Sequence, residues 1–346
     1  MLFPALLRPK SPVQEDRAHD SQSSHTGKLA ASALAAPAIV SRAAAQRQGG
    51  GARVQAAVAR FAALPAASCM VAADHLTAPW QASHLPAARL FIGSAVKTFI
   101  LAQYLREVEA GRLTEDQQMK IDDAVRSLSS PVFLNLTGTT PARSVLEAMI
   151  AHSDNTATDM ALAAAGVDKV RALIAEAGLG ATQVPNSTRR LFSWLAGAPE
   201  GVDLGWEGVQ RAVAAPPVGA TRPALNDHQT MASTAEDMVR WYRQALRGVY
   251  FQKPETLLEF KRIQAMADAI VHVVPPDTIA YAKGGSIEWA GFHCFCLPGQ
   301  MIVGKVPVTF CFTINWTGPD DGVGAIFKSY VAAVADVLKE AAQAVG

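Results

Sequence analysis

The sequence predicts an α+β fold, with a sheet assembled from both ends of the body of the chain and a helical region inserted between the strands. Three observations carry this. A helical pattern at 52–64 runs directly into a strand pattern at 68–74. Helical patterns then dominate from 94 to 177. Strand patterns return near the end, at 289–297 and 306–315, before a closing amphipathic helix at 323–343. On pattern alone, other two-domain α+β arrangements satisfy the same order.

Each element has a local reason. Residues 52–64 (ARVQAAVARFAAL) place apolar and basic positions at helical spacing, and Pro65 stops the run. SCMVAAD (68–74) reads as a strand. Over 94–110, apolar residues at 96, 99, 100, 101, 104, 105 and 108 give a helix with a wide buried face, and Gly111 closes it. Residues 141–150 and 154–165 form two more helices, the second ended by Gly166, and 168–177 another, ended by Gly178. The stretch 179–229 is rich in Pro, Gly and Asn with little period. A long irregular segment inside a compact domain is usually functional or a lid, so it is expected to border the site. Ser233 or Thr234 caps a helix over 234–247. The two late strands are joined by LPGQMIVGK, a hairpin candidate. No internal repeat is visible.

Composition removes several function classes. The chain has 346 residues, with 31 Lys plus Arg against 30 Asp plus Glu and a net charge of +1. A strongly basic nucleic-acid binder and an acidic tail protein are excluded. Half the residues are apolar and 18% are charged, a globular balance. Four cysteines, at 69, 294, 296 and 311, are too few for a disulfide scaffold and make no CxxC pair. A cross-strand disulfide, Cys294–Cys311 or Cys296–Cys311, stays open. His293 beside Cys294 and Cys296 raises a metal question, but strand alternation turns His293 to the opposite face, and no metal is expected. There is no HExxH, Walker A loop or GxSxG elbow, and no cofactor is implied. The body holds no run of 18 uncharged apolar residues, so no stable membrane insertion is expected.

The N-terminal extension, 1–50, reads differently. Residues 1–27 are polar and turn-rich and are expected to be disordered. Lys28 then opens the apolar LAASALAAPAIV, followed by SRAAAQ, in which Ala43 and Ala45 make an A-x-A-like pattern. This describes an export signal near 28–45 and a periplasmic or secreted mature protein. The other reading is an Ala-rich linker, because the apolar segment starts late and carries Pro37.

Three short motifs could carry chemistry. In Gly93-Ser94-Ala95-Val96-Lys97, Ser94 starts a helix and Lys97 lies one turn on, on the same face. A lysine whose pKa is lowered by burial can accept a serine proton, and a helix N-terminus supplies N–H groups. Ser153-Asp154-Asn155 lies between two helices, and Lys283-Gly284-Gly285-Ser286 begins a strand. In isolation each has an ordinary explanation: a cap, a cap and a glycine turn. Together and in this order they are harder to dismiss.

The set resembles the S-x-x-K, S-D-N and K-T-G signature of class A β-lactamases and penicillin-binding proteins. GSAVK, SDNTA and KGGS stand in those roles, and the interval of 59 residues from Ser94 to Ser153 is close to the family's. HSDNTATDMALAAAG and NDHQTMASTAEDM (226–238) extend the similarity, which covers roughly 52–345. The resemblance implies an α/β/α sandwich: an antiparallel sheet flanked by N- and C-terminal helices, with an inserted all-α domain. In a catalytic region 51–346 the α/β subdomain would comprise 51–92 and 255–346, and the all-α subdomain 93–254. It implies a serine hydrolase with Ser94 as nucleophile and Lys97 as general base or proton relay. Ser153 would pass a proton to the leaving group, with its hydroxyl polarised by Lys283. Asn155 would contact the substrate amide and Lys97. Gly285 and Ser286 would bind substrate, the backbone N–H groups of Ser94 and Ser286 forming the oxyanion hole. The partner is then a small amide, ester or β-lactam. Nothing in the sequence specifies an oligomeric state.

Two departures matter. The third motif has Gly284 where the family has Thr or Ser, so a hydroxyl that helps hold a substrate carboxylate is missing; Ser286 could substitute, two positions on. The family's R-x-E-x-x-L-N loop, whose glutamate positions the deacylating water, is also absent. Glu200 and Glu207 occur in 179–229 but outside that pattern. A slow-deacylating penicillin-binding or sensor protein is therefore the alternative to an efficient hydrolase. Arg189 and Arg190 could bind an anionic group or form structural ion pairs. Trp194, Trp206 and Trp289 could line a pocket or simply pack.

Overall fold

The computed structural model describes residues 51–74, 79–214 and 221–345. The segment at 28–45, expected to be an export signal, lies outside them. Ten strands follow in chain order: β1 (Ser68–Ala73), β2 (Trp80–His84), β3 (Leu90–Phe91), β4 (Gln118–Ile121), β5 (Gly138–Pro141), β6 (Ala232–Ser233), β7 (Ile279–Ala282), β8 (Gly285–Trp289), β9 (Phe292–Val303) and β10 (Val306–Thr317). The main sheet has the order β2-β1-β10-β9-β7, and β8 pairs with β9; its pairs are antiparallel. The helices are α1 (51–61), α2 (Lys97–Glu109), α3 (Ala142–Ala151), α4 (Asn155–Ala165), α5 (Val167–Glu176), α6 (Thr188–Leu195), α7 (Gly205–Ala214), α8 (Ala235–Ala245), α9 (Pro254–Gln264) and α10 (Val323–Val345).

The sheet is buried on both faces, and alternation along its strands divides the core in two. Cys69, Val71, Phe310, Phe312 and Ile314 pack with Val58 and Phe61 of α1 and Tyr330, Val334 and Leu338 of α10. Met70, Ala72, Cys294, Cys296 and Cys311 face the other way, into the core of the remaining helices. The result is the expected α+β architecture of helices, antiparallel sheet and helices. Among the described residues no helix is long and apolar enough to cross a membrane.

Several local expectations are corrected. The helix expected at 94–110 begins with a 3-10 turn, Gly93–Val96, and only Lys97 opens α2. The irregular 179–229 contains α6 and α7, short helices between Pro- and Gly-rich joints. The strand expected at 289–297 is two strands, because Ala290 and Gly291 (φ 49° and 75°) turn the chain between β8 and β9. LPGQMIVGK is not a loop: 297–303 continues β9, and only Gly304 and Lys305 make the hairpin turn. Gly299 lets β7 approach β9, since a Cβ there would lie 2.6 Å from the Tyr281 carbonyl oxygen. Strands β2 and β7 and helix α9 gave no distinct signal. Thr234, not Ser233, caps α8, its Oγ1 accepting from Asp237 N at 3.0 Å.

All four cysteines are free thiols. The register explains why: Cys294 opposes Asn315, Cys296 opposes Thr313 and Cys311 opposes Pro298, so no cysteine of β9 faces one on β10. His293 turns to the opposite face, stacks on Trp316 and hydrogen-bonds to Gly318 O at 2.9 Å.

Candidate active site

Two backbones cross where Ser94 sits. Asn315 of β10 anchors Phe91, accepting from its N–H and donating to its carbonyl, each at 2.9 Å. Gly93, at φ +55°, then turns the chain into the 3-10 turn that carries Ser94. The start of β8 lies across this turn. A Cβ on Gly93 would be 2.9 Å from Ser286 N, and one on Gly285 would be 2.0 Å from Ile92 O and 3.0 Å from Ser94 N. Glycine at both positions is a packing requirement, and it brings the backbone nitrogens of Ser94 and Ser286 to the same crossing.

Lys97 is fully buried. Its Nζ donates to Ser153 O at 2.6 Å, Asn155 Oδ1 at 2.7 Å and Ser153 Oγ at 3.2 Å. Burial, then the neighbouring charge of Lys283, hold this amine well below the usual lysine range, against the pull of Asp154, Asp159 and Asp268.

The Ser-Asp-Asn triplet is both a cap and a scaffold. Asp154 caps α4, its Oδ1 accepting from Ala157 N at 2.8 Å. Its Oδ2 accepts from Val132 N at 2.9 Å and Phe133 N at 2.8 Å, which ties the 127–133 segment to the helix. Asn155 Nδ2 donates to Leu128 O at 2.9 Å. Ser153 has φ +57°, a conformation that non-glycine residues seldom adopt and that concentrates at functional sites. Lys283 is also buried, and burial pushes its pKa down to about 8, opposed by Asp268 and Cys296. Its Nζ donates to Gly284 O at 2.7 Å; its hydrogen bond does not go to Ser153.

Ser94, Ser153, Asn155 and Ser286 line one cleft of about 80 Å³, with Lys97 and Lys283 buried and Gly285 against Ser94 N. Sequence reasoning missed Ser129, Pro131, His152, Phe192, Ile287 and Glu288, which complete the lining. His152 was findable by adjacency to Ser153, and Ile287 and Glu288 by continuing the strand. Phe192 brings 179–229 to the cleft. A cavity of about 650 Å³ between α5 and 178–184 is larger but is lined by none of the three motifs.

Other candidates lie elsewhere. Arg189 is spent on a two-atom ion pair with Asp203, Nε–Oδ1 2.8 Å and Nη2–Oδ2 2.7 Å, and neither it nor Arg190 lines the cleft. Glu200 meets His228 at 3.2 Å and Glu207 meets Arg211 at 3.4 Å, both outside it. Trp194 packs under the Arg222 guanidinium, 3.7 Å from the ring centre, and Trp206 lines a separate surface hollow. Trp289 packs on Phe192.

Comparison with known proteins agrees with the fold. No curated protein matches the sequence. The fold is that of the β-lactamase from Sphaerobacter thermophilus, at TM-score 0.64 and 18% identity over 85% of this chain and 97% of that one. A β-lactamase from Xanthomonas campestris matches at TM-score 0.62 and 16% identity over 87% and 97%. PBP-A matches at 0.61 and 15% over 84% and 95%. The model of the "Beta-lactamase enzyme family" matches residues 52–294, most of the chain, and the chain belongs to that family.

Proposed function

We propose that this chain is a serine hydrolase that works through an acyl-enzyme on Ser94 and takes a small ester or amide as its substrate. The observation that carries the reading is Lys97: a fully buried lysine, depressed in pKa, its Nζ bonded to Ser153 and Asn155 and its backbone N–H to Ser94 O in the turn that carries the cleft serine. In this reading neutral Lys97 takes the Ser94 proton, directly or as a relay, while Ser94 Oγ adds to the carbonyl carbon. The backbone N–H groups of Ser94 and Ser286 face the oxyanion. Ser153 hands a proton to the leaving oxygen or nitrogen as the C–O or C–N bond breaks, and Lys283 biases that hydroxyl through its charge. Water then cleaves the ester on Ser94, with the proton returning through the same groups.

The second step is the weak one. Among the described residues, Glu288 is the only carboxylate lining the cleft, and it belongs to β8 rather than to the 179–229 segment. That supports slow release of a hindered acyl group and faster release of an unhindered one. The penicillin-binding or sensor behaviour is thus the expected response to β-lactams. The A-x-A-like segment near 28–45 supports an exported protein.

The test follows consumption of p-nitrophenyl acetate and of a penicillin by the purified chain and by Ser94→Ala. Continuous Ser94-dependent turnover of the ester is expected, with penicillin consumption stopping at or below one equivalent. Sustained penicillin hydrolysis at a rate matching the ester's overturns the substrate assignment. Ester turnover unchanged in Ser94→Ala overturns the acyl-enzyme.

A further inference from the structure

We infer that Phe192 and Trp289 form an aromatic wall that limits this site to short acyl groups; the inference rests on the serine-hydrolase reading above and names its substrate class. Phe192 lines the cleft beside Ser94, and its ring meets Trp289 with centroids 6.0 Å apart at 47°. The two rings come from different elements, α6 and β8, so the contact links the 179–229 segment to the sheet. Ile287 and Trp289 alternate onto one face of β8, and Ile287 is itself buried at the cleft.

The wall stands on a fixed base. Asp159 accepts from Thr188 N at 2.6 Å and Arg189 N at 3.0 Å, and Ser187 Oγ accepts from Arg190 N at 3.0 Å, so the first turn of α6 is capped three times. Arg189 holds Asp203, and Leu191 and Leu195 are fully buried on either side of Phe192. A side chain on so constrained a helix cannot swing aside cheaply. The remaining space, about 80 Å³, is well below the roughly 300–1,000 Å³ of pockets that enclose drug-sized ligands. An acetyl or propionyl group suits such a space; an eight-carbon chain would meet the Phe192 ring, which Trp289 backs. Binding differences of this kind run to about tenfold or more per methylene in a tight apolar pocket.

The experiment is pre-steady-state acylation of the full chain by p-nitrophenyl acetate, butyrate and octanoate, read as p-nitrophenol release and as adduct mass. Wild type, Ser94→Ala, Phe192→Ala, Phe192→Leu and Trp289→Ala are compared. The readout is the octanoate-to-acetate rate ratio, which loss of folded protein does not change. Wild type is expected to favour acetate strongly. Phe192→Ala should raise the ratio at least tenfold, with Phe192→Leu intermediate and Trp289→Ala in the same direction. A wild type that takes octanoate as fast as acetate overturns the inference, and if Phe192→Ala fails to fold, the wild-type profile and Trp289→Ala decide. Ser94-dependent acylation with an unchanged ratio in both variants overturns the wall and leaves the hydrolase reading standing. No Ser94-dependent acylation by any ester overturns both.

Discussion

Lys97 Nζ lies 3.2 Å from the hydroxyl oxygen of Ser153 and 2.6 Å from its carbonyl oxygen. One buried amine therefore touches both the strained backbone and the side chain of the residue assigned to proton transfer. Lys97→Ala is expected to slow acylation of Ser94 by about 10²–10⁴-fold, the usual contribution of a positioned proton acceptor. Lys97→Arg should do no better, because a guanidinium does not release its proton. Because the lysine pKa is depressed, the wild-type acylation rate should rise with pH and level off well below the ordinary lysine range. Stopped-flow p-nitrophenol release across pH checks all three; a plateau absent until the ordinary lysine pKa contradicts the role.

Asp154 predicts a stability effect. It caps α4 and satisfies two further backbone donors at 132 and 133, all of them in buried or half-buried surroundings. Loss of the cap costs about 1 kcal/mol, and each donor left buried without a partner about 1–3 kcal/mol more. Asp154→Ala should lower the unfolding free energy by about 3 kcal/mol or more in chemical denaturation, and Asp154→Asn by less. A loss below about 1 kcal/mol would show that water replaces the carboxylate.

Lys283 predicts a pH dependence whose sign is fixed. Its pKa is about 8 in the fold, against 10.5 for the free side chain. Between those values the unfolded chain holds more protons, so this group's contribution to stability rises with pH from about 8 to 10.5. At about 1.4 kcal/mol per unit this amounts to about 3 kcal/mol. Lys283→Met should remove that rise, so the wild type should gain on the variant as pH rises through this window. Denaturation of both proteins at its two ends measures the difference, and parallel curves would contradict the buried placement.

The sequence made the order of helices and strands legible, together with the three motifs, because those residues do local work that leaves a local signature. Asp154 is readable as a cap, Gly284 and Gly285 as a glycine turn, and Ser233 or Thr234 as an N-cap. What stayed hidden depends on partners distant in sequence. Phe192 becomes a wall only when β8 brings Trp289 against it. LPGQMIVGK reads as the connection between two strands until pairing with β7 and β10 shows that most of it belongs to β9. The cysteines suggest a bridge until strand register sets each opposite Asn, Thr or Pro. Helices α6 and α7 are short, and their ends carry Pro and Gly that mask the helical period.

The most direct test of the central claim is intact-protein mass spectrometry after rapid acid quench of a reaction with p-nitrophenyl acetate, with peptide mapping and Ser94→Ala as control. One acetyl group per chain is expected, mapped to Ser94, formed within the burst of p-nitrophenol release and absent from the variant. An equal adduct on Ser94→Ala, or an acetyl group mapped only to other residues, would contradict it.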